Sequence, residues 1–127
     1  MLYVSLLTLV LLLVVDFAWL NYIAKNFYRG EFGSLLKSNF NLISGILTYL
    51  LIVSGILIFV LNSSYVDSLS SAFIVGTIFG LVVYGVYDLT SFSILKGFSI
   101  RLAVVDIIWG SFLCGFLSLF ARYLSIM

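Results

Sequence analysis

The sequence contains no histidine, no proline and a single cysteine, Cys114. Without histidine, the common zinc sites and histidine-ligated haem are excluded, and one cysteine cannot close a disulfide within the chain. Cys114 lies in an apolar run and reads as a small packing residue. No metal site and no cofactor is expected. Lack of proline removes the usual cause of a sharp helix kink, so the helices should run unbroken, unlike the interrupted helices of many transporters. Charge is also scarce. Lys, Arg, Asp and Glu make up 9% of 127 residues, with a net charge of +1, against about 25% in soluble domains. No basic run is present, so nucleic acid is not an expected partner.

What the chain has in abundance is hydrocarbon. Hydrophobic residues make up 64% of it, and the mean hydropathy is +1.30. Four stretches, at about 2–24, 41–61, 71–94 and 102–124, each hold about 20 or more mostly apolar residues, enough to cross a bilayer core of about 30 Å as a helix. Backbone groups in lipid have no partner but each other, which requires helices here. The expected architecture is all-α: a four-helix bundle integral to the membrane, with antiparallel up-down topology, forming a single transmembrane domain over residues 1–127. The first span has no basic leader and no small-x-small cleavage site, and Asp16 and Trp19 interrupt it. It is therefore expected to be retained and not removed as a signal peptide.

Basic residues set the expected orientation. Lys25, Arg29 and Lys37 fall in the first loop, and Lys96 and Arg101 in the third, with only Arg122 on the opposite side. The positive-inside rule then puts loops 1 and 3 in the cytoplasm and both termini outside. Loop 1, residues 25–40, alternates Phe27, Tyr28, Phe32, Leu35, Leu36 and Phe40 with charged residues. It is expected to be an interfacial amphipathic segment on the membrane surface.

Against this apolar background stand three acids, Asp16, Asp88 and Asp106. A carboxylate at a helix centre costs roughly 2.5–3.5 kcal/mol on insertion scales. At about 1.5 Å per residue, Asp16 lies about 12 Å inside the expected end of span 1, and Asp88 and Asp106 about 6–9 Å inside theirs. All three thus occupy one layer near the loop-1 and loop-3 end. Asp16-Phe-Ala-Trp19 and Asp106-Ile-Ile-Trp109 repeat one spacing, which puts each acid and its indole on one helix face. Tyr84 shares a face with Asp88, and Tyr87 adjoins it. Asn21, Tyr22, Ser44, Thr48, Tyr49, Thr90 and Ser91 fall near the same depth. Asp16, Asp88, Asp106, Trp19, Trp109, Tyr84 and Tyr87 are the candidate ligand- or proton-binding residues, and no catalytic residue is identified. Three carboxyls so close cannot all be charged cheaply, which makes proton or cation binding natural. The competing account is structural, since polar side chains also join helices in membranes, at about 0.6 kcal/mol per hydrogen bond.

Small residues supply close-packing faces: Gly76-x3-Gly80 in span 3, Gly110-x3-Cys114 and Ser111-x3-Gly115 in span 4, and Ser44-Gly45 and Ser54-Gly55 in span 2. Such faces serve packing within the bundle or a homodimer.

Several motifs together are distinctive. Asp16 and Trp19 are followed by Phe27-Tyr28-Arg29, then Tyr84-Gly85-x-Tyr87-Asp88-Leu89-Thr90, then Asp106-Ile-Ile-Trp109-Gly110. Over essentially the whole chain this pattern resembles the bacterial membrane family catalogued as domain of unknown function 2177. Ser91 departs from the asparagine that follows the threonine in the family pattern. The resemblance implies a small four-span protein of the bacterial cytoplasmic (inner) membrane and no established activity. Three functions remain open. The first is binding or transport of a proton, a cation or a small amphipathic ligand. The second is a structural or accessory membrane subunit whose aspartates clasp helices together. The third is a lipid- or isoprenoid-modifying enzyme, disfavoured because no histidine, nucleophile motif or redox signature accompanies the acids. The bilayer is the one certain partner, and the small-molecule ligand is not identified.

Overall fold

The computed structural model describes residues 1–35 and 41–127. Among the described residues five α-helices follow one another: α1 (Leu2–Ala18), α2 (Lys25–Phe32), α3 (Leu42–Gly55), α4 (Leu69–Ile94) and α5 (Ile100–Ser125). Two of them continue as wide π-helical turns, α1 through Trp19–Ile23 and α3 through Ile56–Leu61. Four stretches are long and apolar enough to cross a membrane: Leu2–Ile23, Leu42–Leu61, Leu69–Ile94 and Ile100–Ser125. They form an antiparallel bundle, with no strand among the described residues. Leu6, Val10, Leu13, Val14 and Phe17 of α1 stay exposed on its outer face, as a lipid-facing wall requires.

The last two spans start earlier than their apolar runs do, and serine caps explain it. Ser68 accepts from the Ser71 amide and Ser71 reaches back to the Ser68 amide, a capping box that starts α4 at Leu69. Ser99 accepts from the Leu102 amide at 3.0 Å and starts α5 at Ile100. Between these two helices Gly97, at φ 82°, supplies the left-handed residue of the turn.

The expectation of unbroken regular helices needs correction at two places. Both π-helical turns lie at the ends of spans and need no proline. At Trp19–Ile23 the Asn21 side-chain amide donates to the Phe17 carbonyl at 3.0 Å, taking an acceptor that a regular α-helix offers to the backbone. The Ala24 amide then donates to the Trp19 carbonyl at 2.8 Å, one residue wider than an α-turn.

Helices α4 and α5 make the most extensive contact in the molecule. The small-residue faces are used here. Gly76 lies against Ser118 and Cys114, Gly80 against Gly110 and Cys114, and Gly115 against Thr77 and Phe73. A Cβ added to Gly80 would stand 2.5 Å from the Gly110 carbonyl oxygen and 2.8 Å from the Ser111 Cα. These faces are therefore occupied inside the bundle. Leu12, Ile56, Val60, Leu113 and Leu117 fill the core between α1, α5 and the end of span 2.

Helix α3 is packed unevenly. Its continuation, Ile56–Leu61, lies against α4 and α5, whereas α3 itself makes its main contacts with α1. From Asn41 to Thr48 every residue is exposed. The start of span 2 therefore leans away from α4, leaving a cleft at the end of the bundle nearest loops 1 and 3.

Helix α2 covers that same end. Ala24 and Tyr28 are buried with Phe98, Leu102 and Ala103, the start of α5, and Phe27 and Phe32 pack around them. The Ser99 hydroxyl donates to Glu31 Oε1 at 2.6 Å, placing an acid at the positive end of α5. The first part of the expected interfacial segment is thus a helix docked on the bundle. Leu36, Lys37 and Phe40 of that segment lie outside the described residues.

The α4–α5 contact predicts a sharp contrast between two glycines. Gly80→Ala forces a methyl onto backbone atoms that cannot yield, and should destabilise by about 1–3 kcal/mol. Gly85→Ala meets nothing within 4 Å, and should leave stability unchanged or raise it by up to about 1 kcal/mol, since alanine is the better helix former. Denaturant unfolding of the two variants in detergent, beside the parent, measures both.

Candidate functional site

The repeated acid–indole spacing acquires meaning from the direction of the helices. α1 and α5 run antiparallel, and each carries an Asp with a Trp three residues later. Along α1 the indole sits about 4.5 Å nearer the loop end than its acid; along α5 it sits about 4.5 Å further from it. Each indole therefore arrives at the level of the other helix's acid. Trp109 Nε1 donates to Asp16 Oδ1 at 3.1 Å. Trp19 Nε1 donates to the Tyr28 hydroxyl at 3.2 Å, and that hydroxyl donates to Asp106 Oδ1 at 2.8 Å. Between the two acids the indoles stack face to face, with ring centroids 4.2 Å apart and planes 5° from parallel. Stacking of this kind contributes about 0.5–1.5 kcal/mol beyond the area it buries.

A fourth donor comes from span 2. The Tyr49 hydroxyl donates to Asp16 Oδ2. Asp16, 7% exposed, thus has both carboxyl oxygens bonded, one to α3 and one to α5. Asp106 is half-buried and has one bonded oxygen. Asp88 is different: it is 1% exposed, and neither carboxyl oxygen has a hydrogen-bond partner among the described residues. Its neighbour is the carboxyl of Asp106. Arg101 does not approach these acids to pair with them; its guanidinium lies over the Phe27 ring, 5.9 Å from the centroid.

Tyr28 lies outside the spans. Burial, and next the charge of Asp106, push its phenol well above the ordinary value of 10.0. It therefore stays a neutral donor throughout the usable pH range. A raised value means that the bond's contribution to stability is complete below pH 10.0 and falls as the pH climbs past it, because the phenol of the unfolded chain ionises there while that of the folded chain stays neutral.

All seven residues singled out in the sequence lie at this end of the bundle. Trp19 and Trp109 are hydrogen-bond donors and a stacked pair. Tyr84 packs on Gly110. Tyr84 and Tyr87, with Asp106, line a cleft of about 470 Å³ between α3 and α4, whose other walls are Thr48, Leu51, Ile52 and Val83. Other polar residues at this depth make local bonds or stay exposed. Asn21 binds its own helix, the Ser44 amide is capped by Asn41, and the Thr48 hydroxyl donates to the Ser44 carbonyl. Tyr22 is 77% exposed.

Two residues of the network are not among those seven. Tyr28 reads in the sequence as part of an interfacial segment and of the Phe27-Tyr28-Arg29 motif, with no site role; the signal it offers is its place in the middle of the apolar face Ala24, Phe27, Tyr28, Phe32. Tyr49 lies near the right depth, but nothing in the sequence distinguishes it from any other membrane tyrosine. Chemically, the site combines an acid with a free oxygen at a cleft, an acid with no partner behind it, and a rigid aromatic frame. Among the described residues no cluster of three metal-ligating side chains is present.

Comparison with known proteins agrees with this class. A family model described as a predicted membrane protein, DUF2177, matches residues 1–123. No curated protein and no solved structure matches the chain.

The Tyr28 hydroxyl is predicted to stabilise the fold measurably. Tyr28→Phe removes the donor to a charged acceptor and should cost about 1.5–3 kcal/mol. The loss should be constant from neutral pH up to about pH 10 and shrink above it, where the phenol of the unfolded parent ionises. Denaturant titrations of parent and variant at a series of pH values give both quantities.

Proposed function

Taking as premise that the chain belongs to the DUF2177 family of predicted membrane proteins, we propose that it binds a small amphipathic ligand with an amine head in the cleft between α3 and α4. The observation that carries the reading is the composition of that cleft. Its volume of about 470 Å³ falls within the roughly 300–1,000 Å³ of small-molecule sites. Leu51, Ile52 and Val83 offer an apolar wall, and Asp106 is its one acid. Only one oxygen of Asp106 is hydrogen-bonded, to Tyr28. A plain hydrocarbon tail in the cleft would leave the other oxygen without a donor, which is costly in lipid. An ammonium group satisfies it, and Tyr84 and Tyr87, also in the lining, are of the residue type that attracts cations. The exposed start of α3 leaves the cleft open sideways, toward lipid.

In this proposal the protein sits in a bacterial inner membrane with loops 1 and 3 in the cytoplasm, so the cleft opens within the inner leaflet. The orientation rests on the basic residues alone. Transport of the ligand would require a path across the outer half of the bundle, where α4 and α5 are closely packed; binding is the activity the geometry supports. A second copy is not needed to complete the cleft. Of the small-residue faces named above, the one around Gly45 has nothing within 4 Å and is the place where a homodimer would form.

A second reading has its own observation. Asp16 is satisfied by Tyr49 and Trp109, which is what a helix clasp requires. A purely structural or accessory subunit would use Asp106 in the same way, through Tyr28. Nothing supports the enzyme reading beyond the acids themselves.

The two readings separate on ligand-dependent stability. Purified protein in a neutral detergent is heated with decylamine, with decanol, or with neither. Binding at a ligand concentration of 100 Kd stabilises by about 2.7 kcal/mol, so decylamine should raise Tm clearly, decanol little, and Asp106→Asn should abolish the difference. Equal responses to the amine and the alcohol, or an amine response unchanged in Asp106→Asn, leave the clasp as the better account.

A further inference from the structure

Asp88 remains unexplained by either reading. It projects from α4 into a place where it is 1% exposed, and both its oxygens lack a donor among the described residues. A carboxylate in that position would be buried, unpaired and beside the carboxylate of Asp106. Two like charges at close range in low dielectric repel strongly. The groups facing them cannot relieve this. Tyr28, from α2, already donates to Asp106 Oδ1. Tyr84 and Tyr87, on α4, are the other nearby ionisable side chains, and as phenols they bring no positive charge. Asp16, on α1, is fully bonded to Tyr49 and Trp109. Arg101, on α5, lies over Phe27.

A small positive species between the two acids would relieve the repulsion. A metal ion is a poor fit, because hard cations such as calcium need about six to eight oxygens, and no set of three candidate ligands exists among the described residues. A single proton needs only the two carboxyls.

We propose that Asp88 and Asp106 form an acid–carboxylate pair holding one proton, and that an amine docking on Asp106 from the cleft expels it. The exchange balances. Before binding, the pair carries one negative charge and one proton, and the ammonium is free. Afterwards the pair carries two negative charges against the bound ammonium, and the proton has passed to solvent. Total charge is unchanged. No covalent bond to the ligand forms; the Asp88 O–H bond breaks. Asp106 is the shared element, since it lines the cleft and adjoins Asp88. By reciprocity, amine binding that releases one proton tightens as pH rises, approaching about tenfold per pH unit while the pair holds its proton. The exchange rests on the amine reading of the cleft; the proton pair does not.

Asp88→Asn is the decisive variant, because an amide can donate to Asp106 as the protonated acid does, yet cannot release a proton. Infrared spectroscopy of the full chain in lipid, without amine, tests the pair. A protonated carboxylic C=O band at neutral pH that disappears in Asp88→Asn supports it. Absence of the band in the parent, or its persistence in both Asp88→Asn and Asp106→Asn, overturns it. Calorimetry with decylamine, in buffers of different ionisation enthalpy, tests the exchange. Release of about one proton per amine by the parent, and none by Asp88→Asn, supports it. Amine binding with no proton released overturns the exchange and leaves the cleft reading standing. No amine binding by the parent overturns both cleft and exchange, and the infrared band alone then decides the pair.

Discussion

A polar group inside a bilayer has no water to turn to, and this single constraint organises the loop end of the bundle. Each donor and acceptor there must find its partner in its own segment or on another helix. Asp16 draws Tyr49 from α3 and Trp109 from α5 to itself, so three spans meet at one carboxyl. Asp106 draws Tyr28 from α2, which brings a helix outside the spans onto the bundle end. Without the two acids, the aromatic side chains around them would be ordinary membrane-interface residues. With them, the rings become fixed hydrogen-bond donors, and the stacked indoles hold α1 and α5 at one separation.

The rest of the bundle is held by a different force. α4 and α5 approach through glycines, with van der Waals packing in place of polar contacts. The two kinds of contact divide the molecule. The half away from loops 1 and 3 is close-packed; the end at those loops is a polar network with a cleft beside it. α3 belongs to both, because its π-helical continuation lies in the packed half while its start touches little but α1. Uneven support of one helix is what opens the cleft at Asp106.

Much of this was legible in the chain. Four apolar runs of spanning length, three loops and the glycine faces were enough for the architecture, because lipid permits so few alternatives. The common depth of Asp16, Asp88 and Asp106 was also readable, since helical rise converts sequence position directly into depth. What depth could not provide is rotation about each helix axis. Asn21, Ser44 and Thr48 lie near the right height, yet they bond to backbone within their own segments. Reciprocity between the two Asp-x-x-Trp segments was present in the letters, but it needs the antiparallel pairing of α1 with α5 before it becomes a contact. Tyr28 was hidden by its place in a loop, where amphipathic character points equally to a lipid surface and to a protein one. The helix starts at Leu69 and Ile100 were set by serines that hydropathy counts as breaks.

The crossed arrangement of acids and indoles also has a temporal side. A chain is made from its first residue to its last, so span 1 is in place while span 4 is still being synthesised. Until then Asp16 has Tyr49 but no Trp109, Trp19 has no ring to stack on, and Tyr28 has no Asp106 to meet. Only α5 supplies Trp109 and Asp106, and with them all three missing contacts at once. Completion of the network therefore reports that α5 has arrived, and a chain interrupted before α5 keeps unmatched polar groups in the membrane.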